Sequence, residues 1–149
     1  MAGVRLMKIF ILIAVAFVIA SCSDEEYLQS VGSKKIWKLL ESKDFKFIDF
    51  SAYSDDVWSK VCFLGPYNEQ SEKVLGFSWH ISEHTDVLKS DGHNVIIFAT
   101  ESNVAEYVVH SRGYGDFWKL SGECYSRENS KFIKDKESGS WKNYVQKKA

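Results

Sequence analysis

The first block along the chain has no polar interruption at all. Ile9 to Ala20 (IFILIAVAFVIA) is a run of 12 apolar residues preceded by Arg5 and Lys8. A positive flank followed by an apolar run of this length is the layout of an export leader. A membrane-crossing helix needs about 20 apolar residues, and the acidic Asp24, Glu25 and Glu26 that follow supply no basic stop-transfer flank. Residues 1–21 are therefore read as a signal peptide, 22–32 as a polar, acidic tether without periodicity, and 33–149 as one globular domain.

From residue 33 the pattern becomes periodic. Ile36, Leu39 and Leu40 fall at helical spacing behind Ser33, which predicts a short helix through Glu41 with Ser33 as its N-cap and Trp37 widening the apolar face. Phe45, Phe47 and Phe50 suggest a short extended segment. Val57–Leu64 (VWSKVCFL) reads as a buried strand ended by Gly65-Pro66. Asn68 is placed to cap a helix over Glu69–Leu75 that stops at Gly76, and a second short helix is predicted from Ser82 to about Ser90. After Gly92 the period drops to two: Val95–Thr100 and Val104–His110 make a hairpin across Glu101, Ser102 and Asn103. Ser111–Asp116 (SRGYGD) reads as a loop, Phe117–Ser126 as a strand carrying Cys124, and Phe132 with Ile133 as a last strand. Trp141, Tyr144 and Val145 are expected to fasten the polar tail to the body. Strands with such short connections cannot alternate with crossover helices. The expected class is α+β, an antiparallel sheet of four to six strands with short helices on one face.

Composition adds a charge balance. The 149 residues carry 19 Lys plus Arg against 20 Asp plus Glu. Losing residues 1–21 removes only Arg5 and Lys8, so the remaining formal charge is −3. No basic surface for gripping nucleic acid is expected, and no polybasic membrane patch.

Ile19, Ala20, Ser21 and Cys22 close the leader. A branched apolar residue, two small residues and a cysteine resemble the lipobox of bacterial lipoproteins, a likeness confined to the first 22 residues. The resemblance implies that the Cys22 thiol carries diacylglycerol, that cleavage falls before it, and that the new amino terminus is acylated. Two or three acyl chains hold a protein durably where one does not. Ser23, in place of Asp after the cysteine, is similar to the Gram-negative pattern sorted to the outer membrane, which implies an outer-membrane, periplasm-facing protein. Lys60–Tyr67 (KVCFLGPY) followed by Leu75-Gly76-Phe77 also resembles segments of small bacterial lipoproteins, with no particular activity implied.

With Cys22 committed to lipid, Cys62 and Cys124 remain, and an export compartment favours their pairing as a disulfide; the alternative is two buried free thiols. No Cys-x-x-Cys spacing points to a redox centre. His80-Ile81-Ser82-Glu83-His84 spells H-x-x-E-H, which resembles the inverzincin zinc-peptidase motif. On a helix the two imidazoles would share one face, with a third ligand to come from His93, Glu101 or Glu106. Such peptidases are much longer than this chain, and Ser82 competes as an N-cap that would leave His80 outside the helix. Ser111 beside His110 is adjacency on a strand, where neighbours face opposite ways. Gly113 and Gly115 precede a strand, whereas a dinucleotide loop must open a helix, so they are read as turn glycines.

Twenty of the 128 residues from Cys22 onward are Phe, Tyr or Trp. Trp58, Phe98, Tyr107 and Trp118 fall on strand patterns and are assigned to packing, while Tyr67, Trp79 and Tyr114 are left as candidate exposed contacts. No catalytic residue, cofactor or small-molecule ligand is indicated. The expected function is a non-enzymatic binding or accessory role in the cell envelope. Its partners would be the membrane, through the lipid, and an envelope or foreign protein. The alternatives are an inhibitor or immunity-type lipoprotein and an envelope hydrolase with metal at His80 and His84.

Overall fold

Seven strands, split between two antiparallel sheets, appear in the computed structural model, which describes residues 31–144. The leader, Cys22 and the tether up to residue 30 lie outside the described residues, as does Val145. In chain order the elements are α1 (Val31–Glu41), β1 (Phe47–Asp49), β2 (Lys60–Leu64), α2 (Ser71–Leu75), β3 (His93–Ala99), β4 (Val104–Ser111), β5 (Cys124–Ser126), β6 (Lys131–Lys134) and β7 (Trp141–Asn143). One sheet has the order β4-β3-β2-β5 and the other β1-β6-β7. The α+β class stands. The larger antiparallel sheet has four strands, within the expected four to six, and a second sheet of three strands stands beside it.

The central strands of the larger sheet, β2 and β3, are buried on both faces, which is why they read as nearly continuous apolar runs. Val61, Phe63, Ile96, Phe98 and Val108 point into a core shared with Ile48, Phe132 and Trp141 of the smaller sheet and with Ile36 and Leu40 of α1. The alternating residues Cys62, Leu64, Val95, Ile97 and Ala99 pack on Leu75, Ile81 and Leu88. Phe50 sits in the centre of the first core. Its ring lies 5.6 Å from Phe63, 5.7 Å from Phe117, 5.8 Å from Phe132 and 6.1 Å from Phe98.

Several local expectations are corrected. Ser33 lies within α1 and is buried, so it is no N-cap, and Val31 and Gly32 of the expected tether already belong to that helix. Glycine is required at position 32, because a Cβ there would stand 2.6 Å from both the Tyr53 hydroxyl and Val108 Cγ2. β2 starts at Lys60, leaving Val57 84% exposed. α2 starts at Ser71 with Gln70 at its cap position, while Asn68 Oδ1 accepts from the Gln70 amide one turn earlier.

The expected helix over 82–90 is instead two single turns, Ile81–Glu83 and Val87–Lys89. Thr85 Oγ1 accepts from the Val87 amide, the local side-chain bonding that competes with helix propagation. Phe117–Ser126 is a strand only over Cys124–Ser126. Its first half turns at Trp118–Leu120, where Asp116 Oδ1 accepts from the Trp118 amide. The β3–β4 hairpin forms as expected, with Thr100 and Asn103 closing the loop. Trp141 anchors the last strand with 3% exposure. Among the described residues no helix is long and apolar enough to cross a membrane.

Candidate functional site

His80 and His84 flank the Ile81–Glu83 turn instead of sharing a helical face. The His80 ring is 3.9 Å from a Glu72 carboxylate oxygen. The His84 ring is stacked on Trp79, centroids 4.6 Å apart and planes at 14°. The H-x-x-E-H spacing thus does not gather its imidazoles, and among the described residues no group of three His, Cys, Asp or Glu side chains is placed to hold a metal ion. Trp79, expected to be an exposed contact, is half-buried between His84 and Tyr107.

Cys62 and Cys124 form a disulfide between directly opposed residues of β2 and β5, with Cα atoms 4.1 Å apart. It staples the short strand β5 to the centre of the larger sheet.

His110 takes its hydroxyl partner from another element, not from its neighbour Ser111. β4 buries the imidazole completely, and α1 brings Ser33 Oγ to 2.9 Å from Nδ1 across 77 residues of sequence. Burial lowers the His110 pKa to about 4, the Tyr114 backbone acting in the opposite sense and nearby His93 in the same one. The imidazole is therefore neutral at neutral pH, and its contact with Ser33 ties α1 to the sheet. Asn94, directly opposite on β3, is buried beside it. Gly115, with φ +148°, lets the loop close over this cluster; a Cβ there would meet Leu40 Cδ1 at 2.8 Å and His110 Nε2 at 3.3 Å. Lys34, Trp37, Lys38, Glu41 and Tyr114 line a cleft of about 540 Å³ outside Ser33. Trp37 there is packed edge-on to Tyr114 at 4.9 Å and against Phe45 at 4.8 Å.

A second cleft, of about 310 Å³, opens between the Gly65-Pro66-Tyr67 turn and the 112–121 segment. Tyr67 stands 67% exposed on its rim, and so does Trp118 at 48%. The strand pattern around Trp118 predicts a packed ring. The turn at 118–120 puts its ring outside instead, with Lys119 Nζ 5.1 Å from its centroid.

Tyr67 has φ +62°, a left-handed conformation that costs an L-residue about 1–2 kcal/mol. The turn is held in place by the Tyr67 amide donating to Leu88 O at 2.6 Å and the Asn68 amide donating to Gly65 O at 3.1 Å. Ser121 Oγ accepts from the Gly65 amide and from Asn68 Nδ2, each at 2.9 Å. Arg112 grips Asp116 with Nε and Nη2 at 2.9 and 2.7 Å, and its Nη1 donates to Asp91 O at 2.8 Å. The Asp91 carboxylate raises the Tyr67 pKa, chiefly by accepting its hydroxyl.

The fold and these two clefts define the class: a small disulfide-stapled α+β domain with aromatic side chains presented in surface clefts. No protein family, curated protein or solved structure matches the chain.

Proposed function

We propose that this chain is a bacterial lipoprotein, held to the envelope by acyl chains on Cys22, whose domain is a non-enzymatic binding or accessory module. The observation that carries the anchor is the sequence Arg5, Lys8, the Ile9–Ala20 run and Ile19-Ala20-Ser21-Cys22 in that order. Each part has a separate physical job in export, cleavage and thioether formation. Ser23 favours an outer-membrane, periplasm-facing location. The binding role is supported by Tyr67 and Trp118, large rings kept exposed at the rim of one cleft. Rings with a polar tip supply large contact area at low entropic cost, which suits recognition.

Radiolabelled palmitate given to cells making the full chain tests the anchor. The label is expected on the wild-type protein, and Cys22→Ala is expected to lose it and to keep the leader. Equal labelling of Cys22→Ala, or mass spectrometry finding an unmodified Cys22 on the exported protein, would refute the reading.

A further inference from the structure

We propose that the cleft between Tyr67 and Trp118 binds a neutral sugar residue of a glycan. This rests on the binding-module reading and not on the lipid anchor, so an unlipidated Cys22 would leave it standing.

Apart from the hydroxyl it gives to Asp91, the ring of Tyr67 stands outside both cores. It is 67% exposed, yet it occupies a left-handed position where asparagine or glycine is less strained. The surrounding hydrogen bonds to Leu88, Gly65 and Ser121 over-determine the turn and so tolerate the strain. Strain carried by an exposed side chain and maintained by its neighbours is the mark of a positioned contact. Trp118 faces the same cleft from a turn fixed by Asp116 Oδ1. The two rings are thus presented by two separate rigid turns.

The polar lining selects among ligands. Asp91, Arg112 and Ser121 line the cleft. A phosphate or carboxylate would meet Asp91, with Arg112 already engaged by Asp116. A quaternary ammonium, which aromatic rings also attract, would meet the Lys119 ammonium over Trp118. A ligand without net charge avoids both conflicts.

Sugars match what remains. Their C–H faces carry slight positive charge that meets the negative face of an aromatic ring, and their hydroxyls pair with a carboxylate and with planar donors. Ser121 Oγ, accepting two hydrogen bonds, still has its own proton to donate. The volume, about 310 Å³, suits one or two sugar rings and lies at the small end of ligand sites.

The test is isothermal titration of the full chain in detergent with tetramers of N-acetylglucosamine and of glucose. Saturable binding of at least one tetramer is expected, and Trp118→Ala and Tyr67→Asn should each weaken it about tenfold, one factor of ten in Kd. Tyr67→Asn should unfold at the same temperature or higher, separating loss of binding from loss of fold, and Trp79→Phe, outside the cleft, should bind as wild type. Silence with both tetramers up to about 10 mM, well past the weak limit for a specific site, would overturn the proposal. So would undiminished binding by both cleft variants, or binding of choline in their place.

Discussion

At position 110 a single histidine joins sequence chemistry to stability. The neutral ring is the form the fold accepts, since burial lowers its pKa to about 4 from about 6.5 in an unfolded chain. Between those values the unfolded state binds more protons than the folded one, so stability rises with pH across the window and falls as pH drops from about 6.5 towards 4. The loss from this group is on the order of 3 kcal/mol. Urea unfolding at a series of pH values should show that slope, and His110→Gln should flatten it; an unchanged slope in the variant would exclude His110 as its source. At position 32 the argument is steric. A Cβ 2.6 Å from the Tyr53 hydroxyl and Val108 Cγ2 must push the helix off β4, so Gly32→Ala should cost about 1–3 kcal/mol despite alanine's better helix propensity. A midpoint at or above wild type in urea would contradict the packing described.

Elements in this chain are short, and their neighbours decide their form. β5 has three residues and pairs with β2 through Lys60, Val61 and Cys62. The disulfide at its first residue closes a loop with a sequence separation of 62. In the chain-entropy account, its removal by Cys62→Ser with Cys124→Ser should cost about 4 kcal/mol, read as a lower thermal midpoint. No loss of stability in the double variant would show that β5 is held by packing alone. Buried Ser71 does a related job without covalency. Its Oγ donates to Trp79 O at 2.7 Å and accepts from the Ile81 amide at 2.9 Å, fixing α2 to the turn that carries Ile81. The predicted helix over 82–90 failed for a local reason. Thr85 Oγ1 accepts from the Val87 amide and Ser90 Oγ donates to Val87 O, local bonds that replace a continuing helix, while Ile81 and Leu88 enter the core and Val87 packs at its margin.

Across the whole molecule, the two sheets meet on Phe50, which lies in a single turn between β1 and β2 and is fully buried. Its contacts with Phe63, Phe98 and Phe132 join the sheets, so Phe50→Ala should cost about 3–5 kcal/mol. Both sheets should loosen together, which hydrogen exchange of β3 and β6 amides would report; loss of protection in one sheet only would mean the sheets are independent units. Arg127 adds a second tie. It lies 4.4 Å over the Trp58 ring and donates to Asp56 O, Ser51 O and Ser54 O, closing the loop between β1 and β2 onto the turn after β5.

The sequence by itself determined whatever depends on local period or on nearby residues: the helix at 36–40, the β3–β4 hairpin, the α+β class, and the leader pattern from which the lipid anchor is proposed. It also marked Tyr67 as a candidate contact, because Gly65-Pro66 places that residue in a turn. It could pair Cys62 with Cys124 only by elimination, since residues so far apart carry no local sign of being opposed on neighbouring strands. Only the tertiary structure decided that the strands divide into two sheets, that Ser33 and not Ser111 reaches His110, and that Trp118 faces outward across a cleft from Tyr67. Each of these depends on which faces are covered by elements distant in sequence. A hydrophobic pattern records that a side chain prefers burial, and packing alone decides which of the competing side chains obtains it.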